Sequence, residues 1–354
     1  MNSNNVGFYK KNILLAVYQK LKNIMGEKRF YPEVQWIDKS ISNDIGKNPV
    51  LSNKKILIAL MNLLVVIIRR IINKLFWVEQ WYLLFSMGNA TPVFNGKYVQ
   101  MIPPRDRFWA DPHIIHKDHR YYVFVEEYFY HSRKGCISVI EIDETGKYTP
   151  PKSVLERPYH LSYPYTFSYG NKYYMVPETS ENKTIDLYEC VKFPTEWRFL
   201  MHLMENVSAV DTTIFYYNDL WWLFTAMPDK FEALPKVKLF LFYSERLFTN
   251  EWKAHSKNPI IPDMGNARPA GKIYTNNYKI YRPSQDCTTS YGHSIDINEI
   301  TLLSKSDYEE KKVMSIQPNW EKSIKGTHTF SHENMLTVLD VYRKFPRMLI
   351  KTKI

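Results

Sequence analysis

The chain has 354 residues, 45% hydrophobic and 15% aromatic, which is ample material for a core and excludes global disorder. Its formal net charge of +11 suits an anionic membrane surface, a phosphorylated partner or nucleic acid, but an ordinary basic protein reads the same and no nucleic-acid motif is present. Cys136, Cys190 and Cys287 are odd in number and form no CxxC pair, which argues against a disulfide framework or zinc site and for a reducing compartment.

The first residues, MNSNNVGFYKKN, are polar and lack a signal-peptide pattern, so the expected location is cytoplasmic. Residues 1–95 read as a helical and irregular N-terminal extension. In FYKKNILLAVYQKLKNIM the apolar residues recur at helical spacing, and RFYPEVQWIDKSISNDIGKNPVLSN reads as a connector. The run ILIALMNLLVVII, residues 56–68, lies between Lys54, Lys55 and Arg69, Arg70. As a helix it rises only about 20 Å, short of the roughly 30 Å hydrocarbon core. With Trp77 and Trp81 beyond it, residues 56–85 fit an interfacial helix at the inner face of a membrane. A helix packed on the protein's own wall fits the same pattern.

Beyond residue 95 one unit recurs: a short apolar strand, a polar turn, and a strand rich in paired aromatics. It reads DPHIIHKDHRYYVFVEE from Asp111, YPYTFSYGNKYYMVPE from Tyr163, DTTIFYYNDLWWLFTA from Asp211, RPAGKIYTNNYKIYRP from Arg268 and, shortened, HTFSHENMLTVLD from His328. The copies start at intervals of 52, 48, 57 and 60 residues. Turn residues stand at Lys117-Asp118, Gly170-Asn171, Asn218-Asp219 and Asn276-Asn277. Further strand-like runs, CISVIEI, TIDLYEC, KLFLFYSE and HSIDINEITLL, lie between copies. About four short strands per repeat of some fifty residues is the pattern of propeller blades around a channel. Residues 96–354 are therefore expected to form an all-β, five-bladed β-propeller.

In a propeller the innermost strand of each blade lines the axis. The first residue of each copy then approaches one mouth: Asp111, Tyr163, Asp211, Arg268 and His328. Two carboxylates can share acid–base work, so Asp111 and Asp211 are the candidate catalytic residues. Arg268 and Arg282 fit a carboxylate or phosphate. Tyr163, Tyr165 and Trp109 offer flat faces to sugar rings. Glu126 and Glu178 fall at one alignment column at the ends of aromatic strands. Arg282, Gln285 and Asp286 follow the fourth copy, and Asp340 ends the fifth. Each of these residues can also cap a strand end or pair with a neighbour, as Asp211 with Arg268. No Gly-rich phosphate loop or DxD motif is present, and His113, His116 and His119 would be scattered by strand and turn geometry, so neither a cofactor nor a metal is expected.

The segment RFWADPHIIHKDHRYYVFVEE resembles the first blade of five-bladed furanosidase-type propellers, as in family 43 glycoside hydrolases. That resemblance implies a catalytic base at Asp111. It also implies a carboxylate in blade two and a Glu in blade three, where this chain starts its copies with Tyr163 and Asp211. The ordered series WADP, SYPYTF, MVPETS, VDTTIF, RPAG, RPSQDC, YGHSI and GTHTF resembles the N-terminal domain of the glucosamine inositolphosphorylceramide transferase family over residues 100 to 345. This implies sugar transfer onto lipids. The expected function is a glycosyltransferase, or an accessory to one, in cell-envelope glycan or glycolipid assembly. Its partners would be a sugar or sugar-nucleotide donor and a glycan or lipid-linked acceptor. A furanosidase-type hydrolase and a non-catalytic sugar-binding propeller are the alternatives.

Overall fold

The structure, a computed structural model, describes residues 77–350 except 90, 93, 95, 229–236 and 263–264, together with 61, 64, 65, 68, 71, 72, 75 and 76. Expectations for residues 1–60 lie outside the described residues. The chain divides into two compact units: residues 79–287 with 292–354, and residues 1–78 with 288–291. The first is a five-bladed β-propeller of four-stranded antiparallel sheets. In the second, the described residues between 61 and 76 are helical.

Strands β1 (Trp77–Met87) and β2 (Val99–Met101) come first in the chain but belong to the last blade. Blade one is β3 (Arg107–Lys117), β4 (Arg120–Phe129), β5 (Lys134–Asp143) and β6 (Lys152–Leu155). Blade two is β7 (Ser162–Tyr169), β8 (Lys172–Thr179), β9 (Thr184–Lys192) and β10 (Glu196–Glu205). Blade three is β11 (Val210–Tyr217), β12 (Leu220–Pro228), β13 (Val237–Ser244) and β14 (Lys253–Ala254). Blade four is β15 (Tyr274–Asn276), β16 (Lys279–Asp286), β17 (Ser294–Leu303) and β18 (Tyr308–Ile316). Blade five takes β19 (Phe330–Glu333) and β20 (Leu336–Pro346) from the C-terminal end and is completed in the order β19-β20-β1-β2. The two ends of the propeller sequence thus share one sheet. This is why the fifth copy reads short. It also means that strand starts at Trp77, where the sequence suggested the last part of a helix over 56–85 and an extension reaching residue 95.

Both faces of each blade are buried, so alternate residues of one strand serve different interfaces. In β4, Tyr121, Val123 and Val125 pack with Leu83, Phe85 and Val338 of blade five. Phe124 turns the other way, to Met175 and Tyr188 of blade two. The same division gives clusters between blades two and three around Val176 and Leu223, and between three and four around Trp222 and Ile280. Leu339 and Ile297 meet between blades four and five. Each fully buried aliphatic side chain contributes about 1.5–3 kcal/mol to these seams.

The inner hairpins turn at pairs with positive φ, 118–119, 170–171, 218–219 and 277–278, which matches the right-handed twist of the strands they join. In blades one and four the turn falls one residue later than the sequence suggests, because pairing persists through Lys117 and Asn276.

Candidate functional site

The first residue of the repeat adopts the same unusual conformation in three blades. Strands β3, β7 and β11 each carry a register shift, after Ala110, Ser162 and Val210. The residue that follows is left-handed: Asp111 at φ 55, Tyr163 at φ 43 and Asp211 at φ 53. Such bulges re-aim a side chain, and a non-glycine residue held there costs on the order of 1–3 kcal/mol unless neighbours fix it. The neighbouring blades do so. The Asp111 N–H donates to Asp340 Oδ2 at 2.9 Å, and the Tyr163 N–H donates to Asp111 Oδ2 at 3.2 Å.

Asp340, from β20, gathers more than this one bond. Its Oδ1 accepts the His328 and Thr329 backbone N–H groups at 3.0 and 2.9 Å. Its Oδ2 lies 2.6 Å from His328 Nδ1, while His328 Nε2 lies 3.8 Å from Asp111 Oδ1. The Thr329 hydroxyl donates to that same Asp111 oxygen at 2.9 Å. The imidazole also stacks on Trp81, with centroids 4.0 Å apart and planes 14° from parallel. Burial pushes the Asp111 carboxyl up to about 6, against the pull of His328 and with the help of Asp340 and Asp211. Burial acts to discharge His328, but Asp340 and Asp111 outweigh it, and its pKa lies above the ordinary histidine value.

Asp211 forms the other half of the cluster. The Arg268 Nε donates to its Oδ2 at 2.6 Å, and Gln285 donates to the same oxygen at 3.2 Å while also holding the Pro269 carbonyl. Burial raises the Asp211 carboxyl; Arg268 opposes the rise, and the Glu178 charge adds to it. Arg268 keeps 20% of its side chain exposed, against 3% for Asp211, so solvent reaches the cluster from the arginine side.

Deeper along the axis the pore is filled. The Tyr163 phenol is wholly buried and reaches Thr213 Oγ1 at 3.0 Å and the Gly271 N–H at 2.9 Å. His113 packs edge-on against Tyr163, and burial pushes its imidazole down to about 3. Lys272 Nζ donates to the Ile114 carbonyl at 2.7 Å. Gly271, at φ 135, passes so close to blade five that a Cβ there would stand 2.1 Å from the Phe330 carbonyl oxygen. The charged cluster therefore sits over a packed floor.

The structure thus brings together Asp111, Tyr163, Asp211, Arg268, Gln285 and His328, as their sequence positions suggested. Glu178 joins them electrostatically and accepts the Ser180 hydroxyl at 2.7 Å. Glu126, on β4, pairs with Ala110, and its carboxylate lies 3.5 Å from His160 Nε2. Asp286 is half-buried, 3.5 Å from Ser294 Oγ.

Three expected contacts lie elsewhere. Trp109 is packed in the seam between blades five and one, its indole N–H 3.3 Å from Glu127, so its faces are used by the core. Tyr165 is likewise in the seam between blades two and three, its hydroxyl bound to the Ile214 carbonyl. The Arg282 guanidinium points to the outermost strand β18, where it forks onto Glu310 at 2.7 Å on both nitrogens. It is 1% exposed, as buried charge pairs require.

The sequence pattern does not single out Thr329, although it lies in GTHTF, and it reads Trp81 as part of the interfacial segment. Trp81 lies far from the fifth copy in sequence and reaches His328 only because β1 completes blade five. His113, His116 and His119 are scattered, into the floor, against Tyr121 and beside exposed Glu144. Asp111, His328 and Asp340 hold donor atoms within 4.8 Å of one another, close enough to share a cation. The Asp340 oxygens already accept three backbone N–H groups and pair with the imidazole, so we read the trio as an ion network.

Fold and cluster together define a five-bladed propeller with an acid–base group gathered at one end of its axis. Residues 85–344 match the family described as "Glucosamine inositolphosphorylceramide transferase 1, N-terminal", and the chain belongs to that family. It is 31% identical over 238 residues to glucosamine inositolphosphorylceramide transferase 1 of Oryza sativa subsp. japonica, covering 64% of this chain and 32% of the rice protein. To the protein of that name from Arabidopsis thaliana it is 32% identical over 209 residues, covering 58% of this chain and 27% of the plant protein. The match thus spans about a third of the length of these relatives. Among solved structures, the chain is similar to the GH62 α-L-arabinofuranosidase catalytic domain of Coprinopsis cinerea, with TM-score 0.49, 11% identity and coverage of 66% and 90%. It is also similar to the GH43 protein BlXynB of Bacillus licheniformis, with TM-score 0.44, 14% identity and coverage of 60% and 46%.

Proposed function

We propose that this propeller is a glycosyltransferase, or the partner of one, in cell-envelope glycan or glycolipid assembly. It would act on a sugar or sugar-nucleotide donor and a glycan or lipid-linked acceptor at the Asp111 end of its axis. The observation that carries the reading is Asp111: a carboxylate in a left-handed bulge, buried, and pushed up to about 6. A base that titrates near the working pH is suited to proton transfer. The name of the plant relatives, a transferase of glucosamine and inositolphosphorylceramide, supports both the sugar and the lipid.

In this reading Asp111 takes the proton of an acceptor hydroxyl as that oxygen bonds to the anomeric carbon of the donor sugar. The bond from that carbon to the leaving oxygen breaks, and its electron pair departs with the leaving group. Arg268, with Asp211 behind it, lies where it can meet a departing phosphate. Incubation with sugar nucleotides and membrane lipids, followed by mass spectrometry of the lipid fraction, tests the reading. A glycosylated lipid with the native chain and none with Asp111→Asn supports it; no binding of any sugar nucleotide and no product sinks it.

The grouping of Asp111, Asp211 and Glu178 also favours a second reading, hydrolysis of furanosides by paired carboxylates. Release of free sugar from a furanoside without any acceptor would mark it. For location we propose the inner face of a membrane, reached through the segment before Trp77. Exposed apolar residues at Leu64, Ile68, Leu75 and Phe76 support this, as do the basic residues around them in sequence. No helix among the described residues is long and apolar enough to cross a membrane.

A further inference from the structure

We infer that Asp340 is the positioning residue of this site, holding His328 as a cation against Asp111 so that Asp111 can act as a base. The inference rests on the reading of Asp111 given above. Its grounds are geometric. One carboxylate contacts four groups that belong to three positions: the Asp111 N–H, the His328 N–H, the Thr329 N–H and the His328 imidazole. Asp340 is wholly buried, and a carboxylate desolvated to this degree needs such donors. The same side chain therefore fixes the backbone bulge that aims Asp111 and the ring that faces it.

The ring is fixed from its other sides as well. Trp81 covers one face at 4.0 Å, an arrangement that favours a cationic imidazole. The Nε2 edge is 3.8 Å from Asp111 Oδ1. The charged groups acting on His328 are Asp340 from β20, Asp111 from β3 and Arg268 from the segment before β15; Asp211 from β11 is in turn stabilised by the His328 charge. The two nearest are carboxylates, and the nearer, Asp340, is locked in place by backbone donors. A fixed cation beside Asp111 offsets the burial that would otherwise keep its carboxyl protonated. When Asp111 accepts a proton from an acceptor hydroxyl, the charge it loses is its own, and the imidazolium stays paired with Asp340.

Nothing in this arrangement requires Asp340 to touch substrate. Its loss acts on Asp111 in two opposed ways: it removes a carboxylate charge that raises the Asp111 carboxyl, and it releases the His328 cation that lowers it. The cation is the larger of the two influences, so where His328 discharges, the Asp111 carboxyl titrates higher. The test uses the full chain with labelled histidine and aspartate, followed by NMR across pH, with Asp111→Asn and His328→Gln assigning the two resonances. In the native chain His328 is expected to titrate above an ordinary histidine, and in Asp340→Asn to fall by about one pH unit or more. The Asp111 carboxyl should move up in the same variant. If transfer activity is found, kcat should drop about tenfold or more with KM nearly unchanged, and the acidic limb of the rate profile should move to higher pH. A folded Asp340→Asn chain with an unmoved His328 titration overturns the inference, as does a change in KM alone. Should Asp340→Asn not fold, His328→Gln decides by whether the Asp111 carboxyl rises. The titrations need no turnover, so absence of any transfer would defeat the functional reading while leaving this result to stand or fall by itself.

Discussion

Tyr163 and Gly271 hold each other across the propeller axis. The phenol oxygen accepts the Gly271 N–H at 2.9 Å and its hydroxyl lies 3.2 Å from the Gly271 carbonyl, joining blade two to the segment that opens blade four. Both residues are buried. Tyr163→Phe keeps the ring but leaves the Gly271 N–H without its partner. Unsatisfied buried donors cost about 1–3 kcal/mol, so the variant should unfold at lower denaturant with an unchanged m-value. An unaltered midpoint would show that water replaces the phenol and that the floor is looser than its packing implies.

Asp111→Asn should separate stability from function. The native carboxyl titrates in the folded state near 6, above its ordinary value near 4 in an unfolded chain. Stability is therefore greatest when the group is neutral, and it declines as pH rises from about 4 to 6. Asparagine fits the same bonds, with its carbonyl to the Tyr163 N–H and its amide to the Thr329 hydroxyl. The variant should lack the decline, so that its melting temperature gains on the native chain between pH 4 and 7 while activity is lost. His328 contributes in a different window: its raised pKa gives stability that is full below about 6.5 and fades as pH climbs through the folded value. Parallel melting curves for the two chains across that range would remove Asp111 as a strained carboxylate with a raised pKa.

Membrane contact makes a separate prediction. Met61, Leu64, Val65, Ile68, Ile72 and Phe76 are helical, apolar and exposed, and basic residues adjoin them in sequence, a combination that suits a membrane interface. The full chain should float with vesicles containing anionic lipid more strongly than with neutral ones, and less in high salt. Ile68→Glu with Ile72→Glu should abolish flotation without altering the propeller's melting. Equal binding by that double variant would move the contact elsewhere on the basic surface.

Which parts of this molecule are legible in the sequence follows from how local each signal is. The blades are legible because hairpin turns and alternating apolar residues are written within about twenty consecutive positions. Asp111, Tyr163 and Asp211 are legible because the repeat places the bulge at a fixed column. Arg282 and Tyr165 read like site residues by proximity to that column, but side chains in adjacent strand positions face opposite sides, and these two face the seams. Asp340 ends the fifth copy, yet its several partners come from β3 and from its own blade's first strand segment, a gathering that only the closed ring creates. Trp81 is hidden for the same reason, since β1 enters blade five from the opposite end of the sequence.

Arg282 offers the sharpest contrast between structural and functional charge. It is 1% exposed and is bound to Glu310, to the Asn266 carbonyl and, through Glu310, to Tyr308. All of these lie on or beside β18, away from the axis. Removing one partner of such a pair leaves the other charge buried, at a cost of about 3–5 kcal/mol. Replacing both by apolar groups of similar size is close to neutral. Arg282→Ala should therefore unfold or nearly unfold the protein, whereas Arg282→Met combined with Glu310→Leu should restore much of the lost stability. Sugar binding at the Asp111 end should be unchanged in the restored double variant, because neither residue reaches that cluster. A double variant that is stable but no longer binds sugar would return Arg282 to the site, and with it the phosphate contact proposed for Arg268.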